Sequence, residues 1–285
     1  MKTVLVTGCS SGFGALTARA FAAAGYRVVA TMRDPARADP GIFDGAGAIE
    51  VRALDVTDGD DVAACVAAVL ADHGRIDVLV NNAGVHLLGA VEDMAEADLD
   101  RVMRTNFFGV LALSRAVLPA MRRAGGGHIL TVSSVGSRVG RVMDGIYCAS
   151  KAAVESALEA MRYEVARFGV QVAVVCPGAF RTGIDRNFTL SDAQARSPYA
   201  ALHRYRMERV REACRDGGDP AEVAAALLRI AGDPAPAFRH LVGDKAIGLD
   251  AALSAADAEA RAELLTRFSG IGWWIAGAAG PEAER

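Results

Sequence analysis

Tyr147 and Lys151 stand four residues apart in the string Tyr147-Cys148-Ala149-Ser150-Lys151, with Ser134 upstream. On a helix this spacing puts both side chains on one face. An ammonium beside a phenol favours the phenolate, so a tyrosine of ordinary pKa about 10 is drawn toward a value usable near neutrality. A phenol poised in that way exchanges a proton with an alcohol or a carbonyl. Tyr-x-x-x-Lys arises often by chance, and its weight comes from its company. Lys2, Lys151 and Lys245 are the only lysines in the 285 residues, so Lys151 stands against a nearly lysine-free background.

A second candidate for chemistry lies at the start of the chain. A β-branched run over residues 2–7 meets Gly8 at once, Gly12 and Gly14 follow, and an Ala-rich amphipathic stretch over 15–24 ends at Gly25. That order reads as strand, glycine turn and helix, with Gly25 as the stop. A helix N-terminus opened by glycines lets backbone N–H groups approach a phosphate. The spacing Gly8-x-x-x-Gly12-x-Gly14 differs from the commoner G-x-G-x-x-G dinucleotide fingerprint.

The elements that must position these groups follow from the hydrophobic pattern. Strands are expected at 2–7, 26–32, 48–54, 76–80, 128–132, 170–175 and 238–242. Helical patterns cover 61–72, 95–121 with an interruption near Asn106, and 144–168, while 35–47 reads as a polar connection. Strands alternating with helices imply right-handed crossovers and an α/β architecture. The expected fold is a doubly wound, parallel, seven-stranded Rossmann-type sheet with helices on both faces.

Composition narrows the classes. Net charge is −3, so no basic surplus argues for nucleic acid. Five cysteines without a C-x-x-C pair read as reduced thiols, with neither a disulfide frame nor a metal site. The first strand begins almost at Met1, and the apolar run at 271–279 is too short to span a bilayer. A cytoplasmic protein without a membrane span is expected.

Taken together, Thr7-Gly8-Cys9-Ser10-Ser11-Gly12-Phe13-Gly14, Asp55-Val56, Asn81-Asn82-Ala83-Gly84, Asn106, Ser134, Tyr147-x-x-x-Lys151 and Pro177-Gly178 resemble the short-chain dehydrogenase/reductase family. The pieces occur in that family's order and cover roughly residues 1–250, taken as a single dinucleotide-binding catalytic domain. The resemblance implies Tyr147 as general acid/base, Lys151 as ribose ligand and acidifier of the phenol, Ser134 as holder of the substrate oxygen, and Asn106 as positioner of a water. Ser134 is preferred to Ser133 because Tyr147 follows it by 13 positions, as in the family. A nicotinamide dinucleotide is then expected along Gly8, Ser10, Ser11, Gly12, Phe13, Gly14, Arg33, Asp55, Val56, Asn82, Ala83, Gly84, Tyr147, Lys151, Pro177, Gly178 and Thr182. Asn82 is also expected to bond backbone across the sheet. Met32 stands where NAD-preferring relatives carry Asp, and Arg33 where NADP-preferring relatives carry a base, so NADP(H) is expected rather than NAD(H).

The substrate side is read as a lid over about 181–218, with His86, Ser134, Met143, Phe180 and Phe188 as pocket residues and Val85, Ser137, Val139 and Asp144 beside them. Lid aromatics point to a lipophilic secondary alcohol or ketone, and the nearest likeness is to hydroxysteroid and retinol dehydrogenases. The lid arginines read as a solvated helix face. Beyond the core, an amphipathic helix is expected at 250–268 within a 251–285 extension, with Trp273 and Trp274 packed on the pocket or on a neighbouring subunit. The family commonly pairs subunits through helices read here as 98–123 and 147–168, so a homodimer or homotetramer is expected. A cofactor-sensing regulator on this fold would be expected to lack Tyr147 or Lys151, and both are present. An epimerase or dehydratase that keeps its nicotinamide bound is the other alternative.

Overall fold

The structure is a computed structural model that describes residues 1–38, 41–182 and 192–281. Seven strands, β1 (Thr3–Thr7), β2 (Arg27–Met32), β3 (Ile49–Ala53), β4 (Val78–Asn81), β5 (Gly127–Val132), β6 (Val170–Pro177) and β7 (Arg239–Val242), form one sheet. Their order is β3-β2-β1-β4-β5-β6-β7 and every pairing is parallel. All seven fall where the hydrophobic runs lie. The central strands β1 and β4 are buried throughout, which is why they read as continuous apolar runs and not as alternations.

The helices are α1 (Gly12–Ala23), α2 (Gly59–His73), α3 (Glu96–Met103), α4 (Gly109–Ala124), α5 (Gly145–Val165), α6 (Asp192–Arg196), α7 (Ala200–Arg215), α8 (Ala221–Gly232), α9 (Asp244–Ala255), α10 (Ala258–Ser269) and α11 (Gly272–Ile275). One face of the sheet buries Val4, Val28 and Val80 against Phe21 of α1 and Leu227 and Ile230 of α8. The opposite face buries Leu5, Leu79 and Ile129 against Val66 of α2, Leu113 of α4 and Leu158 of α5. Helices cover both faces, as expected of a doubly wound sheet.

The helical run at 95–121 is interrupted where anticipated. Residues Arg104–Phe108 form a π-helical turn between α3 and α4, centred on Asn106. Such single-turn insertions are frequent at functional sites. The expected helix at 250–268 is instead two helices, α9 and α10, parted at Ala256. Asp257 caps α10 by accepting from the Ala260 N–H at 2.9 Å, a start signal that stops one helix and opens the next. The expected boundary at 250 therefore cuts α9. That helix packs Ala246, Leu249 and Leu253 on Val135 and Val139, in the catalytic body of the chain. Among the described residues no helix is long and apolar enough to cross a membrane.

Candidate active site

Strand order reverses between β1 and β4, and the cleft beyond their carboxyl ends is where an open α/β sheet binds ligands. The glycine turn after β1 makes that cleft possible. Gly8 has φ +70, and a Cβ there would stand 2.8 Å from the Ala83 Cα. Gly14 lies one helical turn on, where a Cβ would meet the Gly8 carbonyl oxygen at 2.3 Å. Side chains at either place would push α1 off the sheet. Asn82 closes the joint by donating its amide to the carbonyls of Thr7 (2.8 Å) and Gly8 (3.1 Å), the cross-sheet role expected of it.

A cavity of about 690 Å³ runs from this turn to Tyr147 and Lys151. Gly8, Ser10, Ser11, Gly12, Phe13, Arg33, Asp55, Val56, Asn82, Ala83, Gly84 and Thr182 line it, as anticipated for a dinucleotide site. Gly14, Pro177 and Gly178 do not. Gly14 serves helix–strand packing, and the other two line a neighbouring cavity. Met32, Thr57, Arg101 and Thr105 also line the cleft. The last two sit on the face that α3 and the π-helical turn present to it, which only the packing of those elements reveals. Ser11 precedes α1 in an extended conformation and its side chain makes no capping bond, leaving the hydroxyl for a ligand. An elongated cleft with a helix N-terminus midway and guanidinium groups along it fits a nicotinamide dinucleotide.

The candidate catalytic groups lie at the cleft's inner end. Ser134 follows β5, where its Oγ accepts from the Gly136 N–H at 3.0 Å, and it lines the same cavity as Tyr147. Ser133 lines both cavities, but its Oγ is taken up in donating to Glu155, which is also held by Arg239 at 2.8 Å. The preference for Ser134 therefore agrees with the geometry. Lys151 is buried and donates to the Val132 carbonyl at 2.9 Å, with Nζ 5.9 Å from the Tyr147 ring centre. Burial pushes its ammonium down to about 8. Asn106 spends its amide on structure, accepting from Val85 N–H (2.8 Å) and donating to Val85 O (2.9 Å) and Ser150 Oγ (3.0 Å).

Burial raises the Tyr147 phenol above its ordinary value, and the Arg141 charge and Ser134 pull it back in part. The Lys151 ammonium and the Arg141 guanidinium stand equally far from the ring centre, at 5.9 Å. Cys148, next to Tyr147, is a buried packing thiol, as is Cys9.

A second cavity, about 540 Å³, meets the first at Tyr147 and is lined by Ser134, Phe180, Val210, Leu249, Leu264 and Phe268 among others. His86, Tyr147 and Thr182 line both. His86 stacks on Tyr147 with ring centres 4.2 Å apart and bonds Asp144 at 2.8 Å, so it is a wall of the pocket. Phe180 takes the expected place and packs edge-on to Phe13. Met143 does not. Its left-handed backbone (φ 61) turns the side chain away from the cavity into a cluster with Leu202 and Trp273. Val85 lines the nucleotide cleft, Ser137 and Val139 line neither cavity, and Asp144 lies buried behind the wall. Phe188 lies outside the described residues.

The fold and the site define a nucleotide-binding oxidoreductase, and the comparisons agree. A model of the family described as short chain dehydrogenase matches residues 2–193. The 3-ketodihydrosphingosine reductase of Bacteroides thetaiotaomicron is 37% identical over 243 residues, covering 85% of this chain and 88% of that one. Retinol dehydrogenase 8 of Homo sapiens is 34% identical, covering 84% and 80%. The crystal structure of a short-chain dehydrogenase from Streptomyces avermitilis superposes with TM-score 0.78 at 35% identity, covering 97% of both chains. A Burkholderia phymatum homologue in complex with NAD (TM-score 0.76, 26% identity, 88% and 92% covered) and a metagenomic one with NADP (0.68, 29%, 85% and 96%) share the fold. The chain belongs to the short-chain dehydrogenase/reductase family of oxidoreductases.

Proposed function

We propose that the protein is an NADP(H)-dependent oxidoreductase that interconverts a ketone and a secondary alcohol on a lipophilic small molecule. The observation that carries this reading is the meeting of the two cavities at Tyr147, with Lys151 lining the first and Ser134 the second. The nicotinamide supplies or takes the hydride when bound. Ser134 donates to the substrate oxygen, holding it as charge develops there. Tyr147 gives its proton to that oxygen in reduction and receives one in oxidation. A phenol raised by burial is protonated at neutral pH, which suits the acid role. Lys151, Asn82 and Gly84 line the inner end of the cleft, where they would hold the ribose and ring.

Arg33, at the end of β2, supports the NADP assignment, because a 2′-phosphate needs a cation and this one lines the cleft. The apolar second cavity supports a lipophilic substrate, as do relatives named for a 3-ketodihydrosphingosine and a retinol. Phe108 and Tyr163, 57% and 74% exposed on the elements expected to pair subunits, support a homodimer. Light scattering tests that directly, and a monomer would remove it.

Incubation with NADPH and a panel of lipophilic ketones tests the catalytic reading by cofactor turnover. Tyr147→Phe is expected to lower kcat by about 10²- to 10⁴-fold while NADPH binding stays as in the parent. Full activity in that variant would end the proton role assigned to Tyr147.

A further inference from the structure

The second cavity carries more positive charge than an uncharged lipophile requires. Arg141, Arg206, Arg209 and Lys245 line it, and among the described residues its lining holds no carboxylate. Arg209 has its partner, Glu212, on the outer surface of α7, with Nη1 2.7 Å from Oε2. The inner pair is different. Among the described residues Arg141 and Arg206 share a single counter-ion, Asp144, at 3.0 and 2.5 Å. Asp144 is fully buried, and it also bonds His86, which burial holds below its ordinary value and hence neutral at pH 7. Among the described residues, two guanidinium groups against one carboxylate leave one positive charge over in a largely desolvated place, with the arginine side chains only 16% and 14% exposed. Arg206 Nε is buried without a hydrogen-bond partner among the described residues. A buried charge in surplus is costly unless an anion meets it.

The surplus stands beside the reacting groups. The point where a Cβ on Gly136 would be lies 3.2 Å from Ser134 Oγ and 3.3 Å from Arg141 Nη2. The guanidinium and the donor to the substrate oxygen are thus within a few bond lengths of each other. We propose that Arg141 and Arg206 form an anion subsite, and that the substrate is an oxo acid or hydroxy acid. Its carboxylate lies a few bonds from the reacting carbon, and its apolar chain lies along Val210, Leu249 and Leu264. A planar carboxylate matches the fork of a guanidinium, and both arginines already engage one in Asp144. This deepens the reading above and rests on the second cavity being the substrate's.

Binding separates the subsite from the chemistry. Octanoate and its uncharged, near-isosteric counterpart octanamide are titrated calorimetrically into the full-length protein with NADPH present. Octanoate is expected to bind at least about tenfold more tightly, as a charge-assisted hydrogen bond to a buried partner allows. In Arg141→Met and in Arg206→Met the two affinities are expected to converge, and in Arg141→Lys part of the gap is retained. Equal affinities in the parent protein would overturn the subsite, as would a gap that survives in both methionine variants. The parent comparison needs no variant to fold. Failure of the oxidoreductase reading would appear as absent ketone turnover, which these titrations do not measure.

Discussion

Asp144 is the residue on which the substrate side turns. Burial would raise its carboxyl, yet Arg141, the His86 hydrogen bond and Arg206 hold it well below the usual carboxylate range. As pH falls the unfolded chain therefore takes up this proton first. The stability Asp144 contributes is full above its ordinary value of 3.8 and drains as pH drops from there toward the lower folded value. Asp144→Asn leaves two guanidinium groups without their counter-ion, and removal of one partner from such a buried pair costs about 3–5 kcal/mol. Urea denaturation at pH 7 should show that loss, and the gap between parent and variant should narrow as pH is taken below 4. A gap independent of pH would mean that the carboxylate's charge is not what stabilises. At this scale the sequence was informative about residue types and spacing: Ser134, Tyr147 and Lys151 meet as a 13-residue interval and a four-residue interval say they should. The Arg141 guanidinium 5.9 Å from the Tyr147 ring centre was not legible, because it arrives on a loop whose course no spacing encodes.

The segment after β7 behaves as part of the pocket and not as an appendage. Trp273 is 2% exposed and packs on Met143 and on Leu202 of α7, with its ring edge-on to Tyr205 at 5.6 Å. It thus holds the lid helix from behind, within the chain. Trp273→Ala is expected to cost about 3–5 kcal/mol, as large-to-small changes in a core do. Since α7 supplies Arg206 and Val210 to the second cavity, KM for the ketone should rise while NADPH affinity is unchanged. Equal losses for both ligands would instead mean that the tail supports the whole cleft. That the tryptophans are packed was legible, since two adjacent indoles are poor surface residues. Where they pack was not, because α10 and α11 are placed by contacts with residues some 70 to 130 positions away. The break between α9 and α10 was legible in Asp257, a favoured N-cap.

At the scale of the whole molecule, the reversal of strand order beside β1 lays one cleft across β1, β2 and β4, and Arg33 stands at its rim. Arg33→Ala is expected to weaken NADPH by about tenfold or more, the worth of a charge-assisted contact, and to leave NADH nearly unchanged. Fluorescence titration of both nucleotides reads the ratio, and an unaltered ratio would defeat the NADP assignment. The fold class, the seven strands and the glycine turn were all readable from the chain. Each depends on local pattern, a period of two or four or a turn glycine, and local pattern survives without folding. The second cavity was not. Its charge balance is set by Arg206 meeting Asp144 across 62 positions and by Lys245 and Leu249 arriving from beyond β7, and such pairings exist only once the sheet has brought distant segments together. A run of lid arginines thus looked like a solvated face until the fold turned one of them inward, onto a buried carboxylate beside the reacting tyrosine.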